Sequence, residues 1–231
     1  MDQEFRILNH DEVQSLLDHP KCKDIARQLG HLDYEVVYNK HLGGPGICTP
    51  FRKSHHLSNH IKKDWEELLD GYQTVLEKAY TLEGLWSLRF WTERAYRPYV
   101  LRYLHEEQRY QPEQFDIGGW WDLLIDLWED SEAIHDEKES DFAYLFNILP
   151  TTKRLTKLLP KGKFTIYRGG HPAGDSWTLN RDKAKWFANM RVLDKEYVGK
   201  VFEKTITRND ALFYTNGREE DEVLLKTILT K

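Results

Sequence analysis

The hydrophobic positions in the first two thirds of the chain repeat with the spacing of helices. Apolar side chains recur every three or four residues over 57–80 and again over 85–103, which predicts two helices, each with one buried stripe. Shorter helices are expected on either side of this region, and Asn9 is suited to cap the first of them. Residues 31–54 contain the run Gly43-Gly44-Pro45-Gly46, so we expect a loop there.

The pattern changes near residue 160, where apolar and polar residues begin to alternate. Alternation predicts strands, separated here by one short helix. We therefore expect an α+β protein, with a helical region over residues 1–159 and a small strand-rich domain over residues 160–231. The predicted strands are residues 163–168, 198–207, 211–214 and 222–229, and the predicted helix is residues 181–190.

The composition is that of an ordinary globular protein, with 40% hydrophobic and 31% charged residues. No apolar run approaches the ~18 residues that a membrane span needs. The two cysteines provide neither a disulfide framework nor a zinc pattern. His56 and His60 have the spacing of a metal pair but no convincing carboxylate beside them, so we expect no metal. A cytoplasmic protein without a membrane partner is the expectation.

The charge is distributed unevenly along the chain. Residues 151–231 carry 17 Lys and Arg against 10 Asp and Glu, and the remaining 150 residues carry 16 against 28. A basic carboxyl-terminal part would attract an anionic ligand such as a dinucleotide, or nucleic acid. Opposite charges would also help the two parts pack together, and the sequence leaves both interpretations open.

Three polar groups in the strand-rich part suggest chemistry. Arg168 ends a predicted strand, Ser176 and Thr178 flank Trp177, and a pair of glutamates at 220 and 222 precedes an apolar run. Residues i and i+2 of a strand share a face, so Ser176 and Thr178 would face one side and Trp177 the other. The two glutamates would likewise point together, roughly 7 Å apart. Two carboxylates beside a planar guanidinium can stabilise a sugar cation and grip a phosphate. Each group alone is also common in purely structural settings.

The order of these groups resembles the ADP-ribosyltransferases of the Arg–Ser–Glu type. Their signature is an Arg on the first core strand, a Ser-x-Ser/Thr motif and a late Glu-x-Glu, which match Arg168, Ser176-Trp177-Thr178 and Glu220-Asp221-Glu222 here. The segments SWTLNRDKAKWFA and FYTNGREEDEVLL are similar to those of compact phage and prokaryotic members. The resemblance covers about residues 160–231, and it implies an ADP-ribosyltransferase fold for them.

The resemblance also implies roles for the residues of the NAD⁺ site. Arg168 would hold the NAD⁺ phosphates or the adjoining ribose, and the Ser176-Trp177-Thr178 motif would order the NAD⁺ site and brace the catalytic glutamate. Gly169 lacks a side chain and would let the ligand approach the backbone. Phe187, or Trp186 beside it, would stack on the nicotinamide, although a place in the helix core is the alternative.

The catalytic and acceptor residues follow from the same resemblance. Glu222 would bind the 2′-hydroxyl of the nicotinamide ribose and stabilise the cation that forms as nicotinamide leaves. Glu220 would position or deprotonate the acceptor. Residues 208–219, with Phe213 and Tyr214, would form the loop that recognises the acceptor.

The function expected from this pattern is mono-ADP-ribosylation. The chain would cleave NAD⁺ and transfer ADP-ribose to a macromolecular acceptor, with an arginine of a host protein favoured. The alternatives are a nucleic-acid acceptor, simple NAD⁺ hydrolysis, and a non-catalytic binding module with the same fold. The helical region would recognise a target or partner, or cover the NAD⁺ cleft. A toxin, a phage effector acting in a host cytoplasm and a housekeeping modifier all fit this pattern, and a neutralising or targeting protein partner is open.

Overall fold

The computed structural model describes residues 9–28, 35–39, 44–49, 52–56, 59–92, 94, 97–131, 136–190 and 195–230. These form two compact units, residues 1–134 and residues 135–231. Both units combine helices with a sheet, so the chain is a mixed helix-and-sheet protein, as the α+β prediction requires. Among the described residues, no helix is long and apolar enough to cross a membrane.

The first unit contains seven described helices and a small antiparallel sheet in which β2 lies between β1 and β3. Asn9 caps the first helix, as predicted, through a reciprocal pair of hydrogen bonds with Glu12. The elements are α1 (His10–Leu17), α2 (Pro20–Gln28), β1 (Glu35–Asn39), β2 (Gly44–Thr49), β3 (Arg52–His56), α3 (Asn59–Lys78), α4 (Leu82–Trp86), α5 (Leu88–Trp91), α6 (Arg97–Glu106) and α7 (Ile117–Asp130).

The sheet corrects the prediction of a loop over residues 31–54 within a helical region over residues 1–159. The glycines and prolines of residues 43–46 suggested a loop, but β2 runs through them and pairs with strands on both sides. The adjacent β1 contains Val36 and Val37, whose branched side chains favour extended backbone. Pairing between strands therefore outweighed the local preference of the glycines and prolines.

The helical spacing located the longest helix well and the next ones less well. The prediction from residue 57 onward corresponds to α3, whose buried residues include Leu69, Tyr72 and Val75. The predicted second helix, over residues 85–103, is instead divided into α4, α5 and α6. Pro98 lies in the first turn of α6, where its missing N–H costs no helical hydrogen bond.

The second unit is built on a five-stranded antiparallel sheet with the order β6-β4-β5-β8-β7. Short 3₁₀ turns at Lys153–Thr156, Lys195–Tyr197 and Lys226–Thr230 connect or end its elements. The elements are α8 (Asp136–Ile148), β4 (Phe164–Gly169), β5 (Ser176–Thr178), α9 (Arg181–Met190), β6 (Val201–Ile206), β7 (Ala211–Thr215) and β8 (Glu222–Leu225).

The register of the strands separates two faces of this sheet. Trp177 lies opposite Val223 on the neighbouring strand, and both belong to a buried hydrophobic cluster with Ile166. Thr178 lies opposite Glu222 and also opposite Tyr167 on β4, so these three side chains share the other face. Ser176 and Trp177 thus point to opposite faces, as the strand alternation predicted.

Helix α9 packs directly on the backbone of β4. An added Cβ at Gly169 would lie 1.9 Å from the carbonyl oxygen of Ala184 and 2.5 Å from the backbone nitrogen of Ala188. The side of Gly169 that lacks a side chain is therefore filled by a helix of the same unit. This corrects the expectation that Gly169 lets NAD⁺ approach the backbone there.

The second unit begins earlier than the predicted boundary between residues 159 and 160. Phe146 of α8 packs edge-on against Phe213 of β7, with 5.7 Å between ring centroids. Leu159 belongs to the hydrophobic cluster below the sheet. The Arg208 guanidinium donates to the carbonyl oxygens of Leu159 and of Lys157, at 3.0 Å for the latter. Residues before 160 thus complete the core of the sheet.

The contact between α9 and Gly169 predicts a large loss of stability for Gly169→Ala. Because the added methyl group would meet backbone atoms that cannot rotate away, we expect the free energy of unfolding to fall by about 3 kcal/mol. Urea unfolding of the variant and the parent measures this difference. In the control Gly162→Ala, nothing lies within 4 Å of the new Cβ, and only strain at φ +78° opposes the substitution. A control as destabilised as Gly169→Ala would contradict the packing argument.

Candidate active site

Arg168 holds the loop between β4 and β5 against the sheet. Its Nε donates to the carbonyl oxygen of His171 at 2.7 Å, and its Nη1 donates to the carbonyl oxygen of Ser176. The guanidinium lies over Gly174, where an added Cβ would be 2.1 Å from Nη2. Two edges of one planar group therefore fix both ends of the loop. The predicted contact of Arg168 with the NAD⁺ phosphates stays a prediction.

Ser176 connects this arginine to the second predicted catalytic group. The Ser176 hydroxyl donates to Oε1 of Glu222 at 2.5 Å, while the Ser176 carbonyl accepts from Arg168. Only 6% of Glu222 is exposed, so its carboxylate is largely withdrawn from water. A buried carboxylate needs hydrogen-bond donors to offset its lost hydration, and Ser176 is one of them. The three motif residues thus form one connected network.

Thr178 fixes the backbone that leads into β8. Its hydroxyl donates to the carbonyl oxygen of Glu220 at 2.5 Å and accepts from the backbone N–H of Asn180 at 2.9 Å. Asn180 in turn accepts from the backbone N–H groups at the start of α9, at 2.9 Å from Asp182 and 3.2 Å from Lys183. The side chain of Thr178 therefore ties the turn before Glu222 to the start of that helix.

The geometry of the glutamate pair differs from the prediction. Strand β8 begins at Glu222, and Glu220 lies in the preceding turn, where Glu219 and Asp221 have φ values of +56° and +49°. The strand rule for residues i and i+2 does not apply across such a backbone. The side chain of Glu220 is partly exposed, and its Oε2 lies 3.7 Å from Nη2 of Arg218. The prediction that both glutamates lie on one strand is therefore wrong.

Tyr214, which the resemblance places in the acceptor loop, supports this turn together with Asn216, and its contact with an acceptor stays a prediction. The hydroxyl of Tyr214 donates to Oδ1 of Asp221 at 2.8 Å, and the backbone N–H of Asp221 donates to Oδ1 of Asn216 at 3.1 Å. The Asn216-Gly217 pair is a turn signal that sequence reasoning can detect. The role of Asp221 has no such signal, because it depends on a backbone conformation that few residues adopt.

The acceptor and cofactor predictions for three aromatic residues need correction or stay open. Phe213 is 0% exposed and packs on α8, so its side chain cannot touch an acceptor. Trp177 is buried in the hydrophobic cluster on the face away from Glu222, and its ring N–H donates to the carbonyl oxygen of Gly174 at 2.8 Å. Phe187 is half-buried on α9 beside Trp186, and its stacking on nicotinamide stays a prediction.

Metal ligands and similarity to known proteins are two further sources of evidence on function. Among the residues that the structure describes, no three His, Cys, Asp or Glu side chains group as metal ligands would. The side chains of His56 and His60 lie outside the described part. Comparison of the chain with protein-family models, with curated proteins and with solved structures finds no match. The geometry of the site and the motif are therefore the basis on which a function is inferred.

The position of Arg168 predicts that its replacement by lysine destabilises the fold. A lysine cannot donate to both carbonyl groups from one planar fork, so we expect Arg168→Lys to lower the free energy of unfolding by about 2 kcal/mol. Urea unfolding measures the loss. Arg181→Lys is the matched control, because Arg181 is exposed and lies 3.4 Å from Glu203, and we expect a change within about 0.5 kcal/mol. Equal effects of the two substitutions would contradict the role of Arg168.

The bond between Tyr214 and Asp221 predicts a dependence of stability on alkaline pH. Burial raises the pKa of Tyr214 most, and the hydrogen bond to Asp221 raises it further, from 10.0 to about 12 in all. The folded protein therefore keeps the phenolic proton more tightly than the unfolded chain. The stability contributed by that proton is complete below about pH 10 and is lost as the pH rises toward about 12.

This dependence is measured by unfolding the parent and Tyr214→Phe at a series of alkaline pH values. The variant has no phenol to titrate, so the parent should lose stability relative to it between about pH 10 and pH 12. Other groups that titrate in this range are common to both proteins and cancel in the difference. Parallel stability curves would show that the folded state does not retain this proton.

Proposed function

We propose that the chain is a mono-ADP-ribosyltransferase that cleaves NAD⁺ and transfers ADP-ribose to an arginine of a host protein. The observation that carries the proposal is the network in which Arg168 holds the carbonyl of Ser176 and the hydroxyl of Ser176 holds Glu222. Arg168 and Ser176 lie 8 residues apart, Glu222 lies 46 residues after Ser176, and the motif alone names all three. The pairing of β5 with β8 and the bond from Arg168 to the Ser176 carbonyl join them into a single hydrogen-bonded chain.

Glu222 is the residue that stabilises the reacting sugar in this proposal. Positive charge develops at the anomeric carbon of the nicotinamide ribose as neutral nicotinamide leaves. A carboxylate stabilises such a charge more strongly where water is largely excluded, and Glu222 is buried. Ser176 fixes the orientation of the carboxylate in advance, so the group need not reorganise during the reaction.

Glu220 is the residue that receives the acceptor. Its carboxylate is partly exposed, unlike that of Glu222, so a side chain of another protein can reach it. The ion pair with Arg218 indicates that a guanidinium group can be accommodated beside this carboxylate. Both points support an arginine acceptor.

The test uses purified protein, NAD⁺ labelled in the adenylate part, and a cell lysate. We expect Glu222→Gln to lower transfer at least about 100-fold, since the substitution removes the charge and keeps the shape and the oxygen that Ser176 contacts. Glu219→Gln is the matched control, because Glu219 is an exposed acid of the same turn, and its activity should equal that of the parent. Equal labelling by the parent and Glu222→Gln would refute the proposal.

The fate of the label identifies the acceptor class. Release of the label by protease supports a protein acceptor. Release of the label by nuclease would contradict a protein acceptor and indicate a nucleic acid. Nicotinamide release without any macromolecular label would indicate hydrolysis of NAD⁺ instead of transfer. Glu220→Gln should lower transfer and leave part of the NAD⁺ hydrolysis, because a water molecule does not need Glu220 to position it as a large acceptor does.

A further inference from the structure

The turn before β8 places an arginine of the chain itself at the proposed acceptor carboxylate. Nη2 of Arg218 lies 3.7 Å from Oε2 of Glu220, and 39% of the Arg218 side chain and 21% of the Glu220 side chain are exposed. An exposed ion pair of this kind adds little to the stability of a fold. The structure therefore holds this guanidinium near Glu220 without making the fold depend on it.

We propose that Arg218 is a site of self-modification, which accepts ADP-ribose from the NAD⁺ bound by its own chain. This inference rests on the proposed function and extends it by naming one acceptor. The guanidinium of Arg218 has the chemistry that we assign to the acceptor, and it lies beside the carboxylate that we assign to acceptor binding. The reaction needs no second macromolecule.

The step is a transfer between two carbon–nitrogen bonds. A terminal nitrogen of Arg218 loses a proton to the carboxylate of Glu220 and forms a bond to C1 of the nicotinamide ribose. The bond between C1 and the nicotinamide nitrogen breaks, and nicotinamide leaves as a neutral molecule with that electron pair. Glu220 passes the proton to water. The products are nicotinamide, a proton and an arginine that carries ADP-ribose.

The backbone on both sides of Arg218 is fixed, which favours the intramolecular reaction. The backbone N–H of Glu219 donates to the carbonyl of Asn216 at 3.1 Å, and Asp221 is held by the side chains of Tyr214 and Asn216. A reactant held in place reacts as though it were present at a very high concentration. Arg218 is therefore held four residues before Glu222 on a backbone that these contacts fix.

Three other described arginines of the second unit, Arg168, Arg208 and Arg181, are placed differently. Arg168 and Arg208 donate to backbone carbonyl groups and are built into the fold. Arg181 resembles Arg218 because it also lies near a glutamate, at 3.4 Å from Glu203. Glu203, however, belongs to β6, at the edge of the sheet away from β8. Arg181 is thus a suitable control, because it is exposed and lies near a glutamate, but that glutamate is not Glu220.

The experiment incubates the purified full chain with NAD⁺ and no added acceptor. Tandem mass spectrometry, with fragmentation that preserves the modification, then maps the label in the parent protein. We expect one ADP-ribosyl group per chain, on Arg218, and a rate per chain that is unchanged by roughly tenfold dilution. Label elsewhere with Arg218 unmodified, or a rate that rises in proportion to protein concentration, would overturn the inference.

Three variants separate this inference from the function on which it rests. Arg218→Lys should lose the label and Arg181→Lys should keep it, because only the former removes the guanidinium beside Glu220. Glu222→Gln should lose the label together with nicotinamide release. A parent that releases nicotinamide and modifies other proteins but leaves Arg218 unmodified would refute self-modification alone. A parent that does neither would refute the proposed function itself.

Discussion

The hydrogen bond between Ser176 and Glu222 is the interaction on which the candidate site depends. A carboxylate that is largely removed from water loses hydration worth several kcal/mol, and the fold must supply donors in its place. Ser176 supplies one, because the pairing of β5 with β8 brings its hydroxyl to within 2.5 Å of Glu222. The geometry of the reactive group is therefore set by the register of two neighbouring strands.

The arginine of the motif contributes through the backbone. Its guanidinium spans the ends of the loop between β4 and β5 and packs against Gly174, so the loop, Ser176 and Glu222 are held as one body. Arginine suits this task because a planar fork can satisfy two carbonyl groups at once. A motif residue that looks like a ligand contact in sequence can thus act by positioning its neighbours.

The sequence predicted the elements of this site better than its details. The alternation around Trp177 correctly separated the core face from the face of Ser176 and Thr178, because strand geometry depends only on local spacing. The orientation of Glu220 was not predictable in this way. It depends on positive φ values at Glu219 and Asp221, which are held by contacts from Tyr214 and Asn216.

Tertiary packing explains the other differences between prediction and structure. Gly169 looked like a site of ligand approach, but a glycine serves equally where a helix must pack on a strand, and only the position of α9 distinguishes the two. The sheet in residues 35–56 was missed because glycine and proline usually signal loops and because strand pairing is not local. The unit boundary was misplaced for a similar reason, since α8 contacts a strand far along the chain.

Each of the three residues of strand β5 has a different structural role. Ser176 serves the carboxylate, Trp177 fills the core, and Thr178 holds the turn before β8, so each side chain has a different partner. A substitution in β5 would therefore disturb the carboxylate, the core or the turn, whereas substitutions at exposed positions usually change stability little. A shift of one residue in the pairing of β5 with β8 would therefore disturb the carboxylate, the core and the turn together.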